Sequence, residues 1–319
     1  MQRRFRIGTR GSPLAMWQAR WAQTLLSEAL GLDPEGVPIT VIKTTGDAIT
    51  DRRLAEAGGK GLFAKELELA LLDDDIDIAV HSCKDLPTRL PAALAFAAAL
   101  PRADPRDVLI SKTGAQSVHD LPQGARVGTA SRRREAMARR LRPDLEIDLL
   151  RGNVQTRIDK VLDGPFDATF LAAAGLKRLG HQVGAPLALA DWLPAATQGI
   201  VAFEIRADDA EAQALCARVE CRDTAIAAAA ERGFLDALDG SCETPIGALA
   251  EIDGDHLRFR GEALSHDGAQ VWARAEDRRL GAEAKAEARA LGQALGKAIR
   301  AEAGEAFPLD VLSPPPRPA

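Results

Sequence analysis

Apolar residues along the first two thirds of the chain switch between two spacings, every third or fourth residue and every second one, which predicts helices alternating with strands. Ser12 is a helix-cap candidate, Pro13 stands at the first helical position, and apolar Trp17, Trp21 and Leu25 follow, so an amphipathic helix is expected up to Gly31. Ile39 to Thr44 alternates as a strand, GLFAKELELALL reads as a helix, and Ile76, Ile78 and Val80 place a second strand just before HSCKDLP. After the proline-containing stretch from Leu100 to Asp107 the pattern restarts with strand RVGT, helix SRRREAMARRL, strand IDLL, helix NVQTRIDKVL, strand ATFL and helix AAAGLKRLG. Strands alternating with helices imply βαβ units and largely parallel sheets, in which ligands gather beyond the carboxyl ends of the strands. Those ends carry TRGS, HSCKD, GTASRRR, LRGN and AAAGLKR.

The strand-like run GIVAFEIR (199–206) returns the chain to its first domain, and DTAIAAAAERGFLDAL makes an alanine-rich helix ending at Gly240. Then the grammar changes. IGALAEI, HLRFRGEAL and AQVWARAE are separated by the turn signals DGD and SHDG, which predicts antiparallel strands followed by a helix from about Ala282 to Ala301. The fold class expected is α/β: two α/β domains around a cleft plus a smaller α+β C-terminal domain. The expected boundaries are 1–100 with 199–218, then 101–198, then 219–305, with an irregular tail over 306–319 that holds SPPPRPA.

Length agrees, since 319 residues exceed one core of roughly 100 to 150 residues. A net charge of −5, from 41 basic and 46 acidic residues, argues against nucleic acid or an anionic membrane as main partner, so any anion site must be local. The start, MQRRFRIGTRGSPLAMWQARW, lacks the apolar core of a signal peptide, and no window supplies about 18 uninterrupted apolar residues. A cytoplasmic protein is expected. Cys83, Cys216, Cys221 and Cys242 match no common zinc or disulfide spacing, and none of the five histidines pairs with another at metal-ligand spacing, so no metal is expected. GGKGLF (58–63) lacks the spacing of a phosphate-binding Walker loop and reads as a flexible loop bearing Lys60.

Arg10, Arg133, Arg134, Arg151, Arg157 and Arg178 recur beside strand ends and helix starts, with Lys60 and Lys84 in similar contexts. Guanidinium forks and helix N-termini suit a polyanionic small molecule, although each arginine taken singly also reads as part of a solvated helix face. Asp85, in KDLP, could face a developing positive charge and move a proton, or be a turn residue bonding its own backbone. Cys242, in the loop DGSCETPIG, is a candidate nucleophile or attachment site, and Cys83 is a competing thiol near the same cleft.

Read together, IGTRGSPLAMWQA, KTTGD, GGKGLFAKELE, DIAVHSCKDLPT, GTASRRREA, LRGNVQTRIDK, LAAAGLKRLG and GSCETPIGA resemble the ordered motif set of the hydroxymethylbilane synthase (porphobilinogen deaminase) family, from about Ile7 to Gly247. The resemblance implies two domains like the halves of periplasmic binding proteins, and a third that carries a covalent dipyrromethane cofactor on Cys242. It implies that Asp85 is the catalytic aspartate. Arg10, Ser12, Lys60, Lys84, Thr129, Ser131, Arg133, Arg134, Arg151, Arg157 and Arg178 would bind cofactor and substrate. The activity implied is deamination and head-to-tail joining of four porphobilinogen molecules into linear hydroxymethylbilane, by a cytoplasmic monomer without metal or nucleic acid.

Three departures stand out: Glu56 in place of a lysine, Cys83 in place of a methionine and therefore open to oxidation, and PAATQGIVAFEIR as a looser form of the usual crossing. Two rival readings are a two-lobed protein that binds a dianion reversibly, and a cysteine-dependent acyl or thiol transferase using Cys242 or Cys83, with His81 a candidate base for Cys83.

Overall fold

The computed structural model describes residues 3–48, 61–239 and 244–308. The chain opens with β1 (Ile7–Arg10), α1 (Pro13–Leu30), β2 (Ile39–Ile42), a one-turn α2 (Thr45–Ala48), α3 (Lys65–Leu72), β3 (Ile78–Ser82) and β4 (Leu94–Ala99). Ser12 caps α1 as expected, its hydroxyl accepting the Ala15 N–H at 3.3 Å, and Gly31 ends the helix at φ +67°, a conformation glycine adopts without strain. The stripe that α1 buries is Ala15, Ala19, Ala22 and Leu26, not the predicted Trp17, Trp21 and Leu25. Small alanines let the helix lie close on the sheet, and Trp17 is left 38 % exposed.

The second sheet is built from β5 (Asp107–Ser111), β6 (Arg126–Gly128), α4 (Arg132–Leu141), β7 (Glu146–Asp148), α5 (Val154–Leu162), β8 (Ala168–Ala172), α6 (Ala173–Arg178) and β9 (Ala185–Pro186). Then β10 (Val201–Arg206) goes back into the first sheet. The two sheets share one plan: β2-β1-β3-β10-β4 in the first and β7-β6-β8-β5-β9 in the second. In each, four strands run the same way and the strand fourth in order, β10 or β5, runs against them. The sheets are thus largely parallel in strand direction, as expected, with one reversed strand in each. The physical reason is the crossing between lobes: β5 and β10 are each the first strand after a crossing, and each enters its new sheet from the opposite end.

The two crossings lie side by side, with the Ala103 N–H donating to the Gly199 carbonyl at 3.2 Å. Gly199 is required there, because φ is +90° and a Cβ would stand 2.5 Å from the Ala103 oxygen.

α7 (Ala210–Ala217) packs into the core of the first lobe through Ala212, Leu215 and Cys216. The last unit follows with α8 (Arg222–Ala237), antiparallel β11 (Ile246–Asp253), β12 (His256–Leu264) and β13 (Val271–Arg279), and α9 (Ala284–Ala303). α9 packs against α8 and the sheet around Phe234 and Phe259, whose rings meet edge-on at 5.2 Å. Close helix packing depends on Gly292, where a Cβ would fall 2.0 Å from the Ala230 carbonyl oxygen. Glu231 of α8, fully buried, pins both crossings: its carboxylate accepts Arg102 Nη1 at 2.5 Å, the Ala250 N–H at 2.7 Å and the Thr197 N–H. Phe307, placed by sequence in an irregular tail, instead belongs to this core at 4 % exposure. Among the described residues no helix is long and apolar enough to cross a membrane.

Candidate active site

The predicted site residues sit where strands end and helices begin. Arg10 closes β1, Lys84 and Asp85 share the single 3-10 turn after β3, and Thr129 and Ser131 lie between β6 and α4. Arg151 follows β7, Arg157 lies in α5 and Arg178 is the last residue of α6. Three short polar side chains serve first to shape these turns. Ser12 and Ser131 cap α1 and α4, and the hydroxyl of buried Thr129 accepts the Ser131 N–H at 3.1 Å. Lys60 and Cys242 lie outside the described residues.

Asp85 is held loosely. Its side chain is 30 % exposed and its ion pair is with Arg10 at 4.0 Å. Arg10 in turn lies 3.8 Å from the Phe63 ring centre, and a cavity of about 60 Å³ opens between Arg10, Ser12, Gln18, Phe63, Ser82 and Asp85. Lys84, the neighbour of Asp85, donates to Gln198 Oε1 at 3.1 Å. Burial, and then the positive charge of Arg134, push the Lys84 ammonium down to about 8.

Arg133 and Arg134 do not reach the cleft as open forks. Arg133 donates to Asp107 at 2.7 Å and to the Leu193 carbonyl at 2.7 Å; Arg134 donates to both Asp107 oxygens at 3.2 and 2.6 Å and to the Phe170 carbonyl at 2.7 Å. Trp192 Nε1 and Gln198 Nε2 complete the shell of Asp107 at 2.8 and 2.9 Å. Burial alone would raise this carboxyl, but the two guanidiniums outweigh it and hold it well below the usual carboxylate range. Arg133 and Arg134, expected from sequence to bind cofactor and substrate, are thus both engaged by a carboxylate of the protein.

Arg157 and Arg178 differ. Arg157 donates Nε to the Gly152 carbonyl at 2.7 Å and Arg178 donates Nη2 to the Gly199 carbonyl at 2.8 Å. Among the described residues neither pairs with a carboxylate. Burial drives both down to about 10, with Arg134 and Arg151 adding to the effect on Arg157. Partly buried cations with no directly paired carboxylate can be stabilised by an anionic ligand, although Asp85 already acts on Arg157 through space.

Sequence reasoning missed Asp107, Gln198 and the Phe63 stack. The signal for Asp107 was present in DVLI, an acid at the head of an apolar run, which needs a buried partner. The thiol readings do not hold for Cys83. It is buried, and burial pushes its thiol up, so neither oxidation sensitivity nor nucleophilic use is expected. His81 turns its Nε2 to Glu204, 3.1 Å away. Among the described residues no cluster of three or more metal-ligating side chains occurs.

The cleft of this two-lobed α/β fold sets the cations Arg10, Lys84, Arg157 and Arg178 around the partly exposed Asp85. The family model described as "Porphobilinogen deaminase, dipyromethane cofactor binding domain" matches residues 5–214, and "Porphobilinogen deaminase, C-terminal domain" matches 225–301. A protein of Nitrobacter winogradskyi named porphobilinogen deaminase is 50 % identical over 309 residues, 94 % of each chain. One of the same name from Paracoccus denitrificans is 52 % identical over 274 residues, 85 % of this chain and 87 % of its own. The chain belongs to the porphobilinogen deaminase family. Among solved structures, an arginine-specific periplasmic binding protein of Salmonella typhimurium covers 68 % of this chain and 92 % of its own, at 12 % identity and a TM-score of 0.40.

Proposed function

We propose that this chain deaminates porphobilinogen and joins four molecules head to tail into linear hydroxymethylbilane, with Asp85 as the catalytic carboxylate and Cys242 as the cofactor tether. The observation that carries the reading is the make-up of the cleft: Asp85 is partly exposed with its ion pair to Arg10 at 4.0 Å, and partly buried Arg157 and Arg178 have no directly paired carboxylate among the described residues. That donor set fits a dipyrromethane, whose rings bear carboxylates. Lys84, Arg10, Arg157 and Arg178 would hold those groups together with Arg151, Ser12, Thr129, Ser131 and Lys60, while Arg133 and Arg134 supply positive potential from behind Asp107. When bound, the dipyrromethane supplies a free pyrrole α-carbon as the starting nucleophile.

The chain's own residues do the rest. Guanidinium forks accept the acetate and propionate of each incoming porphobilinogen and fix its aminomethyl group in place. As the carbon–nitrogen bond breaks and ammonia leaves, positive charge develops on the substrate's pyrrole ring, and the Asp85 carboxylate stabilises it. When the new carbon–carbon bond has formed, the displaced ring proton passes to Asp85 and on to solvent. Every ring added brings two more carboxylates, which is why one cleft needs so many cations. The enzyme is taken to act as a cytoplasmic monomer without nucleic acid, in keeping with its net charge of −5.

Intact-mass measurement tests the cofactor part of the reading. The purified protein is expected to exceed its sequence mass by one dipyrromethane, and peptide mapping is expected to place the adduct on Cys242. An unmodified chain that still turns over porphobilinogen would refute it.

A further inference from the structure

Trp17 has no role in the site as described so far, and its position is hard to explain by packing. It lies off the stripe that α1 buries and is 38 % exposed; its neighbour Trp21, 5.7 Å away, packs at the margin of the first lobe's core. Its other contact crosses to the second lobe, where the Arg178 guanidinium carbon lies 5.6 Å from the indole centre. One turn earlier on both helices the same seam continues: Leu14 of α1 faces Gly175 of α6, where a Cβ would meet Leu14 Cδ2 at 3.5 Å. A small cavity opens along this seam, lined by Leu14 and Lys84 from the first lobe and Gly175 and Arg178 from the second, with Gly199 of the return crossing.

We propose that Trp17 is a positioning residue that holds Arg178 across the seam between the lobes, so that its N–H edge is presented to a carboxylate of porphobilinogen. The proposal rests on the reading above that Arg178 is a carboxylate site. An aromatic face attracts a guanidinium without using any of its hydrogen-bond donors, whereas a carboxylate of the protein in the same place would occupy the fork. Gly199 O takes one N–H and the indole takes the face. Arg10 and Phe63 form a similar pair, but within one lobe. The Trp17 contact ties a cation of the second lobe to a helix of the first, so lobe approach and substrate grip are coupled through it.

The test uses the holoenzyme with Trp17→Leu, Trp17→Phe, Arg178→Ala and the double variant Trp17→Leu/Arg178→Ala. Trp17→Leu is expected to raise KM for porphobilinogen about fivefold with kcat changed less than about twofold, and Trp17→Phe to recover most of the loss. In the Arg178→Ala background Trp17→Leu is expected to add nothing. As a readout apart from turnover, the emission difference between wild type and Trp17→Phe should change when Arg178 is removed. If Arg178→Ala raises KM but Trp17→Leu does not, or if the two effects multiply, Trp17 has no positioning role. If Arg178→Ala leaves KM unaltered, the reading of Arg178 fails first and this proposal with it.

Discussion

Arg133 and Arg134 in the first turn of α4, and Arg157 and Arg178 in α5 and α6, come from the same kind of place in the second lobe, yet they meet opposite surroundings. The first pair closes on Asp107, a fully buried carboxylate also held by Trp192 and Gln198. The second pair is partly buried against backbone carbonyls, with no directly paired carboxylate among the described residues. Topological position beside a strand end therefore does not make an arginine a ligand contact. What decides is whether the protein brings its own counter-ion. Where it does, the arginine stabilises the lobe; where it does not, a cost remains in the folded state that a ligand carboxylate relieves.

The largest effect that separates the two sets should come from Asp107→Asn, which leaves two buried guanidiniums unopposed and is expected to cost about 3–5 kcal/mol in urea unfolding. The sign with pH follows from the depressed carboxyl: its stabilisation is complete above the unfolded value of about 3.9 and is lost only as pH falls towards the lower folded value. Measurement at neutral pH thus reads the whole contribution. A loss below about 1 kcal/mol would remove the distinction between the two sets. Next in size is Arg157→Leu, expected to raise KM for porphobilinogen about 10- to 100-fold while changing stability by less than about 1 kcal/mol, because no paired carboxylate is left without its partner. Steady-state kinetics paired with unfolding curves would sharpen the comparison; destabilisation with unaltered KM would place Arg157 with the structural set.

The smallest effect is on pH dependence. Lys84 is a cation below about 8 and loses its charge above it. KM should rise several-fold on the alkaline side of that value, and Lys84→Arg, charged throughout, should abolish the rise. A profile that stays flat in the wild-type enzyme would mean that the Lys84 ammonium does not grip substrate.

Much of this was legible in the sequence, and the parts that were not share a cause. Caps and periodicity located α1, α4 and α5 because Ser12, Ser131 and Asn153 are local signals. IDLL was placed about two residues late against β7, and β4, alanine-rich LAFAAA, carried too few β-branched residues to read as a strand. Asp107 pairs with arginines 26 and 27 residues away and with Gln198 91 residues away, so no local window contains the cluster. Periodicity assigned Trp17 to the buried stripe because it reveals that a helix has faces but not which neighbour each face meets. The motif residues Lys84 and Asp85 were found because one turn carries both. Lys60 and Cys242 were read from sequence alone and lie outside the described residues.

The most direct test of the central claim, that Asp85 is the reacting carboxylate in a cleft of waiting cations, is ammonia release by the Asp85→Asn enzyme, with intact mass taken on the same sample. The expected result is a protein that still carries one dipyrromethane and releases ammonia about 10²- to 10⁴-fold more slowly than wild type. Release at the wild-type rate from that loaded enzyme would contradict it.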